Sequence, residues 1–128
     1  MRIVLLAMSA IALGVPDAAA QLAPVKAGVY HWADTRATDV GGGRAERLVL
    51  SGSTLDLEML EVRAITLAPR APADSVAGQD SLESFLLVKD GKLAATLNGV
   101  SRTLGAGGIA LALPGDRIVL TNTGAEPA

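Results

Sequence analysis

Turn-forming glycines divide the second half of this chain into short apolar segments. The turns fall at Asp90-Gly91, at Asn98-Gly99, within residues 105–108 and at Pro114-Gly115, about eight to ten residues apart. Aliphatic and β-branched residues fill the intervals, which are long enough for one strand each. This regular spacing predicts an all-β protein, an antiparallel barrel or sandwich with strands at 85–88, 93–97, 100–104, 109–113 and 117–121.

Two of these turns carry a strong hairpin signal. Asp-Gly and Asn-Gly suit a two-residue hairpin because both central residues of that turn take positive φ. We therefore predict that Asp90-Gly91 joins segments 85–88 and 93–97 as a hairpin. Asn98-Gly99 is predicted to join 93–97 to 100–104 in the same way.

Local patterns conflict between Leu55 and Leu67. Apolar and acidic residues alternate from Leu55 to Met59, which is the period of a half-buried strand, and the alternation then continues on the other parity. A single strand here requires a bulge near Met59-Leu60. A helix that begins with a capping box at Ser53 is the alternative. The β-branched residues of the second half favour the strand.

The segments on either side of this strand are predicted to be loops. Three consecutive glycines make residues 39–44 a flexible loop, and no lysine follows them as in a phosphate-binding loop. Pro69 and Pro72 end the strand, because proline cannot donate to a sheet ladder. The small and polar residues 73–81 are predicted to form a further loop.

The first twenty residues have the three parts of a secretory signal peptide. Arg2 gives the N-terminal end a positive charge, residues 3–15 are apolar, and residues 18–20 are three alanines. The apolar stretch is shorter than the roughly 20 residues that span a bilayer. We therefore predict cleavage after Ala20 and a mature chain in the periplasm or outside the cell. After cleavage we expect no association with a membrane.

Composition excludes several classes for residues 21–128. The net charge of the chain is −2 without a basic block, and aromatic residues make up only 2%. Nucleic-acid binding needs basic patches and stacking aromatic rings, so we expect no nucleic-acid partner. There is no cysteine, which excludes disulfides. The length suits one small domain with a single core.

A spaced motif runs through the end of the chain. Gly107, Gly115 and Asn122 match the glycines and the asparagine of a pattern in which Leu113 stands at a proline position and Ile118 at a histidine position. This pattern resembles the second conserved motif of the cupins, and the resemblance extends over residues 69–127. More narrowly, the chain resembles secreted bacterial cupin-domain proteins. The resemblance implies a cupin-like antiparallel jelly-roll barrel.

The resemblance also implies a metal site, whose ligands are missing from the sequence. In the first cupin motif two histidines precede a glutamate, and a glycine follows after six intervening residues. Counting back from Gly91 puts the glutamate at Ser84, beside Glu83, and the histidine pair at residues 78 and 80 or 77 and 79. No histidine stands there, so we expect no metal cofactor. A divalent metal held by Asp80 and Glu83 is the alternative.

Without a metal, the barrel mouth is the candidate ligand pocket that the resemblance implies. Its rim would include Gln79, Asp80, Ser84 and Arg117. His31 is the only histidine, and the sequence pairs it with no carboxylate or nucleophile. A general base needs such positioning, so we predict no catalytic residue.

These observations support a domain organisation and three functions. Residues 21–68 are predicted to form an N-terminal arm and the first strands, and residues 69–128 the cupin core, within one domain of residues 21–128. A non-catalytic cupin-like protein, either binding a small molecule or retaining only a vestigial barrel, is the leading hypothesis. The second is a metal-dependent oxygenase or isomerase with atypical ligands. The third is a structural dimerisation module whose arm, residues 21–28, pairs with a neighbour's sheet.

The end of the chain adds an expectation about assembly. Cupin barrels continue after the turn that follows Asn122 with a strand that closes the sheet. We therefore expect either a barrel that is incomplete at its C-terminal end or another element that covers the open edge. Because an uncovered sheet edge can pair with another chain, we expect a homodimer.

Overall fold

The strands of this protein are short and numerous, as the turn spacing predicts. The computed structural model describes residues 22–71, 74–77 and 82–128. In these ranges a 3-10 helix, Trp32–Asp34, precedes nine strands. The strands are β1 (Thr38–Gly41), β2 (Arg44–Gly52), β3 (Leu60–Leu67), β4 (Asp74–Ala77), β5 (Ser84–Leu87), β6 (Lys92–Leu97), β7 (Val100–Gly105), β8 (Ile109–Ala112) and β9 (Ile118–Asn122).

The strands form three antiparallel sheets with the orders β1-β2-β3, β4-β9-β6-β7 and β5-β8. From β3 onward the chain crosses repeatedly between the four-stranded sheet, which contains β4, β6, β7 and β9, and the two smaller sheets, which contain β3, β5 and β8. This alternation between layers is the topology of a jelly roll. The predicted all-β antiparallel class is therefore confirmed.

One core lies between the layers. The smaller sheets and the residues just after their strands contribute Leu67, Val88 and Ala112, and the four-stranded sheet contributes Leu93 and Leu120. On β9 every second side chain is fully buried, which is the period of a strand with one face on the core. The domain is held together by these alternating inward side chains.

The two predicted hairpins have different outcomes. Asn98 and Gly99 take φ of 48° and 84° and join β6 to β7 as an antiparallel hairpin, as predicted. The hairpin at Asp90-Gly91 is wrong, because β5 pairs with β8 while β6 pairs with β7 and β9. The dipeptide does turn the chain, but the burial of Val88 and Leu93 in one core sends the two strands into different sheets.

The strand predicted over residues 55–67 is correct only in its second half. β3 begins at Leu60, and Leu55 is fully exposed. The Leu57 N–H donates to the Thr54 hydroxyl oxygen at 3.0 Å, and the Thr54 N–H donates to the Leu57 carbonyl at 2.8 Å. This tight turn ends the pairing that the alternation suggested. The irregularity in register lies in β2, between Leu48 and Leu50.

Both loops predicted beside this strand contain β-structure. Gly41, Gly42 and Gly43 all have positive φ and make the hairpin turn between β1 and β2, so the predicted flexible loop is wrong. β2 itself was not predicted. Within the predicted loop 73–81, residues 74–77 form β4 and pair with β9.

Both ends of the described chain are attached to the sheets. Leu67 and Ala128 exchange two backbone hydrogen bonds, at 2.7 and 3.0 Å, at the end of β3. Pro24 in the N-terminal arm forms a parallel bridge with Ser53 of the same chain. The predicted signal peptide, residues 1–20, lies outside the described residues. Among those that are described, no helix has the length and apolar character of a membrane span.

Candidate functional site

An open cleft of about 490 Å³ lies where β6 and β7 face β8. Among the described residues, seven that line it have aliphatic side chains and two have polar ones. The polar residues are Asn98 and Arg102. The aliphatic ones are Ala95, Leu97, Val100, Leu104, Ile109, Ala110 and Leu111.

The period of β7 explains why an arginine lines this cleft. In the β6–β7 ladder Arg102 lies directly opposite Ala95, which is buried in the core. Side chains directly opposite each other share a face of the sheet, so Val100, Arg102 and Leu104 all lie on the core side of β7. The small methyl group of Ala95 leaves room in front of the longer Arg102 side chain.

Arg102 brings an uncompensated positive charge to the cleft. Within the described residues its guanidinium makes no hydrogen bond or ion pair, and the side chain is exposed. The sequence analysis missed this residue. A signal was present, since the alternation Val100, Arg102, Leu104 places one charge in an otherwise apolar row.

Asn98 is held at the rim of the cleft by the turn before β9. Its Nδ2 donates to Asp116 Oδ1 at 2.7 Å, and its Oδ1 accepts from the Arg117 backbone N–H at 3.0 Å. The Leu113 N–H donates to the other Asp116 oxygen at 2.9 Å. The hydrogen bond from Asn98, and then that from Leu113, lowers the pKa of Asp116 below its ordinary value. The two turns are thereby tied together.

Of the residues predicted to form the pocket rim, the two that the structure describes, Ser84 and Arg117, do not line this cleft. Ser84 begins β5, half-buried and opposite Ala112, and the Arg117 side chain is exposed. Gln79 and Asp80 lie outside the described residues. The predicted rim therefore remains a prediction, while the cleft near Asn98 and Arg102 is a separate feature.

The described positions of the cupin metal set do not fit a metal ion. Ile118, at the histidine position, is buried in the core with an aliphatic side chain that has no donor atom. Exposure alternates from Leu82 to Phe85, which places Glu83 on the outer face and Ser84 on the inner one. Among the described residues no three His, Cys, Asp or Glu side chains form a group that could hold a metal.

A network of charged side chains joins β2 and β3. Glu46 accepts from Arg44 and, at 2.7 Å, from Arg63, which also pairs with Glu61. The hydrogen bonds from Arg63 to Glu61 and Glu46 raise the pKa of the Arg63 guanidinium above its ordinary value. Within the described part of the chain, two arginines of this network pair with two carboxylates, and their charges bind β2 to β3. We assign it a structural role.

Trp32, near the N-terminus, contacts Arg47 of β2. The Arg47 guanidinium lies 4.1 Å from the centroid of the Trp32 ring, and Arg47 also donates to the Trp32 carbonyl at 2.8 Å and to the Thr35 carbonyl. His31 is exposed and precedes the 3-10 helix. These contacts anchor the N-terminal segment on β2.

Comparisons with known proteins find similarity in structure. No protein-family model matches the sequence, and no curated protein matches it either. KdgF from Halomonas sp. superposes with a TM-score of 0.65 at 15% identity, covering 80% of this chain and 87% of that one. An RmlC-like cupin from Shewanella frigidimarina superposes with a TM-score of 0.63 at 14% identity, covering 84% and 87%.

These likenesses concern the fold. Both superpositions include most of each chain, so they compare whole domains rather than a shared fragment. The strand order of this chain indicates the same type of fold, because the chain crosses between layers as a jelly roll does. The chain has the cupin fold.

Proposed function

We propose that this protein is a non-catalytic cupin-like binding protein whose ligand occupies the cleft between β6–β7 and β8. The observation that supports this is the apolar character of the described cleft lining, together with the charge of Arg102, which no described residue balances. Its volume of about 490 Å³ lies within the range of small-molecule sites, about 300–1,000 Å³.

The lining selects a class of ligand. Aliphatic walls favour an apolar body, and a guanidinium favours a carboxylate, which it can bind through two parallel hydrogen bonds. Asn98 is already engaged with Asp116 and Arg117, so it adds to the rim rather than to the recognition of charge. We therefore propose a small apolar carboxylate as the ligand.

The expected affinity is modest. Each methylene group buried contributes about 0.8 kcal/mol, and a charged hydrogen bond about 1.5–3 kcal/mol. After the cost of immobilising a flexible chain, a medium-length fatty acid is expected to bind with a Kd on the order of 0.1–1 mM. The natural ligand would bind more tightly if its shape matched the cleft.

Isothermal titration with octanoate and with neutral octanol tests this proposal. Wild-type protein is expected to bind octanoate more tightly than octanol. Arg102→Gln is expected to weaken octanoate binding about tenfold and to leave octanol within about twofold, because one charged contact is lost. Val100→Trp, which places a large ring in the cleft without changing its charge, is expected to weaken both.

A matched control variant is Lys92→Gln, which removes an exposed cation that does not line the cleft. It is expected to bind both compounds as the wild type does. The proposal fails if neither compound binds at millimolar concentration, or if Arg102→Gln and Lys92→Gln weaken octanoate binding equally. The second result would indicate attraction by overall charge alone.

We also propose that the protein acts in the periplasm or outside the cell and needs no metal. The N-terminal sequence supports the first statement, and the aliphatic Ile118 at the histidine position supports the second. Mass spectrometry of the exported protein is expected to find Gln21 at its N-terminus. Metal analysis of protein purified without a chelator is expected to find less than one metal per ten chains, and stoichiometric metal would contradict the proposal.

A further inference from the structure

The outer face of the β5–β8 sheet is apolar and exposed. In the ladder Phe85 lies opposite Leu111, and Leu87 lies opposite Ile109, so these four side chains form one block on the same face. Their exposed fractions are 68%, 54%, 58% and 58%, in the order named. The inward side chains of the same strands, such as Ala112, pack on the core instead.

The size of this block matches the apolar part of a stable interface. Four side chains exposed to this extent present roughly 450 Å² of apolar surface, in the middle of the range of about 300–600 Å² for the largest patch on a monomer. A standard interface buries about 800 Å² on each partner, of which about 56–65% is apolar. The block alone supplies nearly all of the apolar area that one partner needs.

Charges at the two ends of β5 make this face complementary to itself. Exposure alternates without interruption from Leu82 to Lys89, so Glu83 and Lys89 lie on the same face as Phe85 and Leu87. The row therefore reads negative, apolar, apolar, positive. Glu83 and Lys89 are equally far from Leu86, at the centre of the row.

A two-fold axis can place each charged end of this row opposite the oppositely charged end of a second copy. Consider an axis that lies midway between two stacked sheets, runs perpendicular to the direction of β5 and is level with Leu86. The two β5 strands then run antiparallel, one above the other. Glu83 of each copy then faces Lys89 of the second copy, and Phe85 faces Leu87. Lys89 Nζ is 3.4 Å from Asp90 and 5.8 Å from the centroid of the Trp32 ring, but the Lys89 side chain is highly exposed, and surface contacts of this kind hold a lysine only weakly.

We propose that the protein forms a symmetric homodimer through the outer face of β5–β8, with Glu83 of one copy paired to Lys89 of the other. This surface is distinct from the N-terminal arm, whose Pro24 bridges Ser53 of its own chain. Ile109 and Leu111 of this block also line the cleft, whereas Glu83, Phe85, Leu87 and Lys89 do not, so substitutions at these four residues test the dimer without changing the cleft lining.

Charge reversal tests the symmetry of this arrangement by sedimentation velocity at low salt. Glu83→Lys and Lys89→Glu are each expected to weaken dimerisation about five- to tenfold, because each creates two like-charge contacts in the dimer. The double variant restores opposite charges and is expected to return within about threefold of the wild type. The two single variants, when mixed, are expected to form a heterodimer. Lys92→Glu, a charge reversal on β6, is the matched control and is expected to dimerise normally.

An apolar variant tests the same face independently. Phe85→Glu is expected to be a monomer at 100 μM with an unchanged circular dichroism spectrum, whereas Leu55→Glu, at a fully exposed leucine elsewhere, is expected to remain a dimer. If Phe85→Glu does not fold, the charge reversals decide the matter. Three results would each overturn the proposal. They are a wild type that is monomeric at 200 μM, a double variant that dimerises more weakly than both single variants, and a dimer that is lost only on deletion of residues 22–28.

Discussion

Replacement of Asn122 by alanine is expected to destabilise this fold more than any exposed substitution. The side chain is only 1% exposed and bonds three backbone groups of two separate segments. Its Nδ2 donates to the carbonyls of Leu67 and Glu126, at 3.0 and 2.8 Å. Its Oδ1 accepts from the Gly124 N–H at 2.8 Å. The amide therefore joins β9, the end of β3 and the C-terminal tail, residues 123–128.

The expected magnitude follows from these three bonds. Each contributes about 1 kcal/mol net, so Asn122→Ala is expected to lower the free energy of unfolding by about 3 kcal/mol. The buried Leu67 carbonyl keeps its hydrogen bond from the Ala128 N–H at 3.0 Å, which limits the additional cost. For a domain of this size, 1 kcal/mol corresponds to about 4 °C in Tm, so a decrease of about 12 °C is expected.

Urea denaturation followed by circular dichroism measures this change. Thr123→Ala, at the adjacent exposed position, is the matched control and is expected to change the free energy of unfolding by less than about 0.5 kcal/mol. A loss below about 1 kcal/mol in Asn122→Ala, or one equal to that of the control, would refute the assignment of Asn122 as the link between the segments.

The pH dependence of Asn122→Asp gives a second readout with a definite sign. The new carboxyl would direct one oxygen at two carbonyl oxygens, and burial with that repulsion raises its pKa above the ordinary value of about 4. A group whose folded-state pKa is raised contributes stability below its unfolded pKa and loses it as pH rises. Relative to the wild type, Asn122→Asp is therefore expected to be less stable at pH 7 than at pH 4. The opposite trend would contradict the geometry at this site.

Three further predictions concern the turns and the N-terminal segment. Gly91→Ala is expected to lower the free energy of unfolding, measured in urea, by at least about 1 kcal/mol more than Gly99→Ala. Both glycines have positive φ, but only the added Cβ at residue 91 would meet the C-terminal tail, at 2.7 Å. Equal losses would contradict the docking of the tail. Arg47→Ala is expected to red-shift the fluorescence of Trp32, the only tryptophan, because the guanidinium above its ring is lost. An unchanged spectrum would mean that the contact does not persist in solution. The lowered pKa of Asp116 means that its contribution to stability is present above the ordinary carboxyl pKa of about 4 and is lost as pH falls through the lower folded-state pKa. Asp116→Asn is therefore expected to flatten the acid limb of the stability curve, and an unchanged limb would be evidence against the bond from Asn98.

Much of the strand content could be predicted from the sequence because turns are local. Asn98-Gly99 specifies a hairpin through its own backbone preferences, and the structure confirms it. The strands after residue 82 were predicted within one or two residues for the same reason. The failure at Leu55 to Met59 is also local in origin, since a side-chain turn between Thr54 and Leu57 outweighed the alternation.

The cleft was harder to predict than the strands. Ser84 and Arg117 were chosen from the resemblance to a motif, whereas the lining of the cleft depends on the distance between β7 and β8, which belong to different sheets. Arg102 gave a weak signal, as a charge in an apolar row. No sequence pattern indicates how much space the neighbouring Ala95 and Ala110 leave in front of it.

The sequence by itself determined the all-β class, the positions of most turns and the poor fit of Ile118 to a metal, because these depend on backbone preferences and side-chain chemistry at single positions. Only the tertiary structure decided which strands pair, since the hydrogen bonds of β5 with β8 join residues more than twenty positions apart. It also decided the role of Asn122, which reads as a turn residue in the sequence. Its amide is buried where two distant segments meet, and burial is a property of the whole fold.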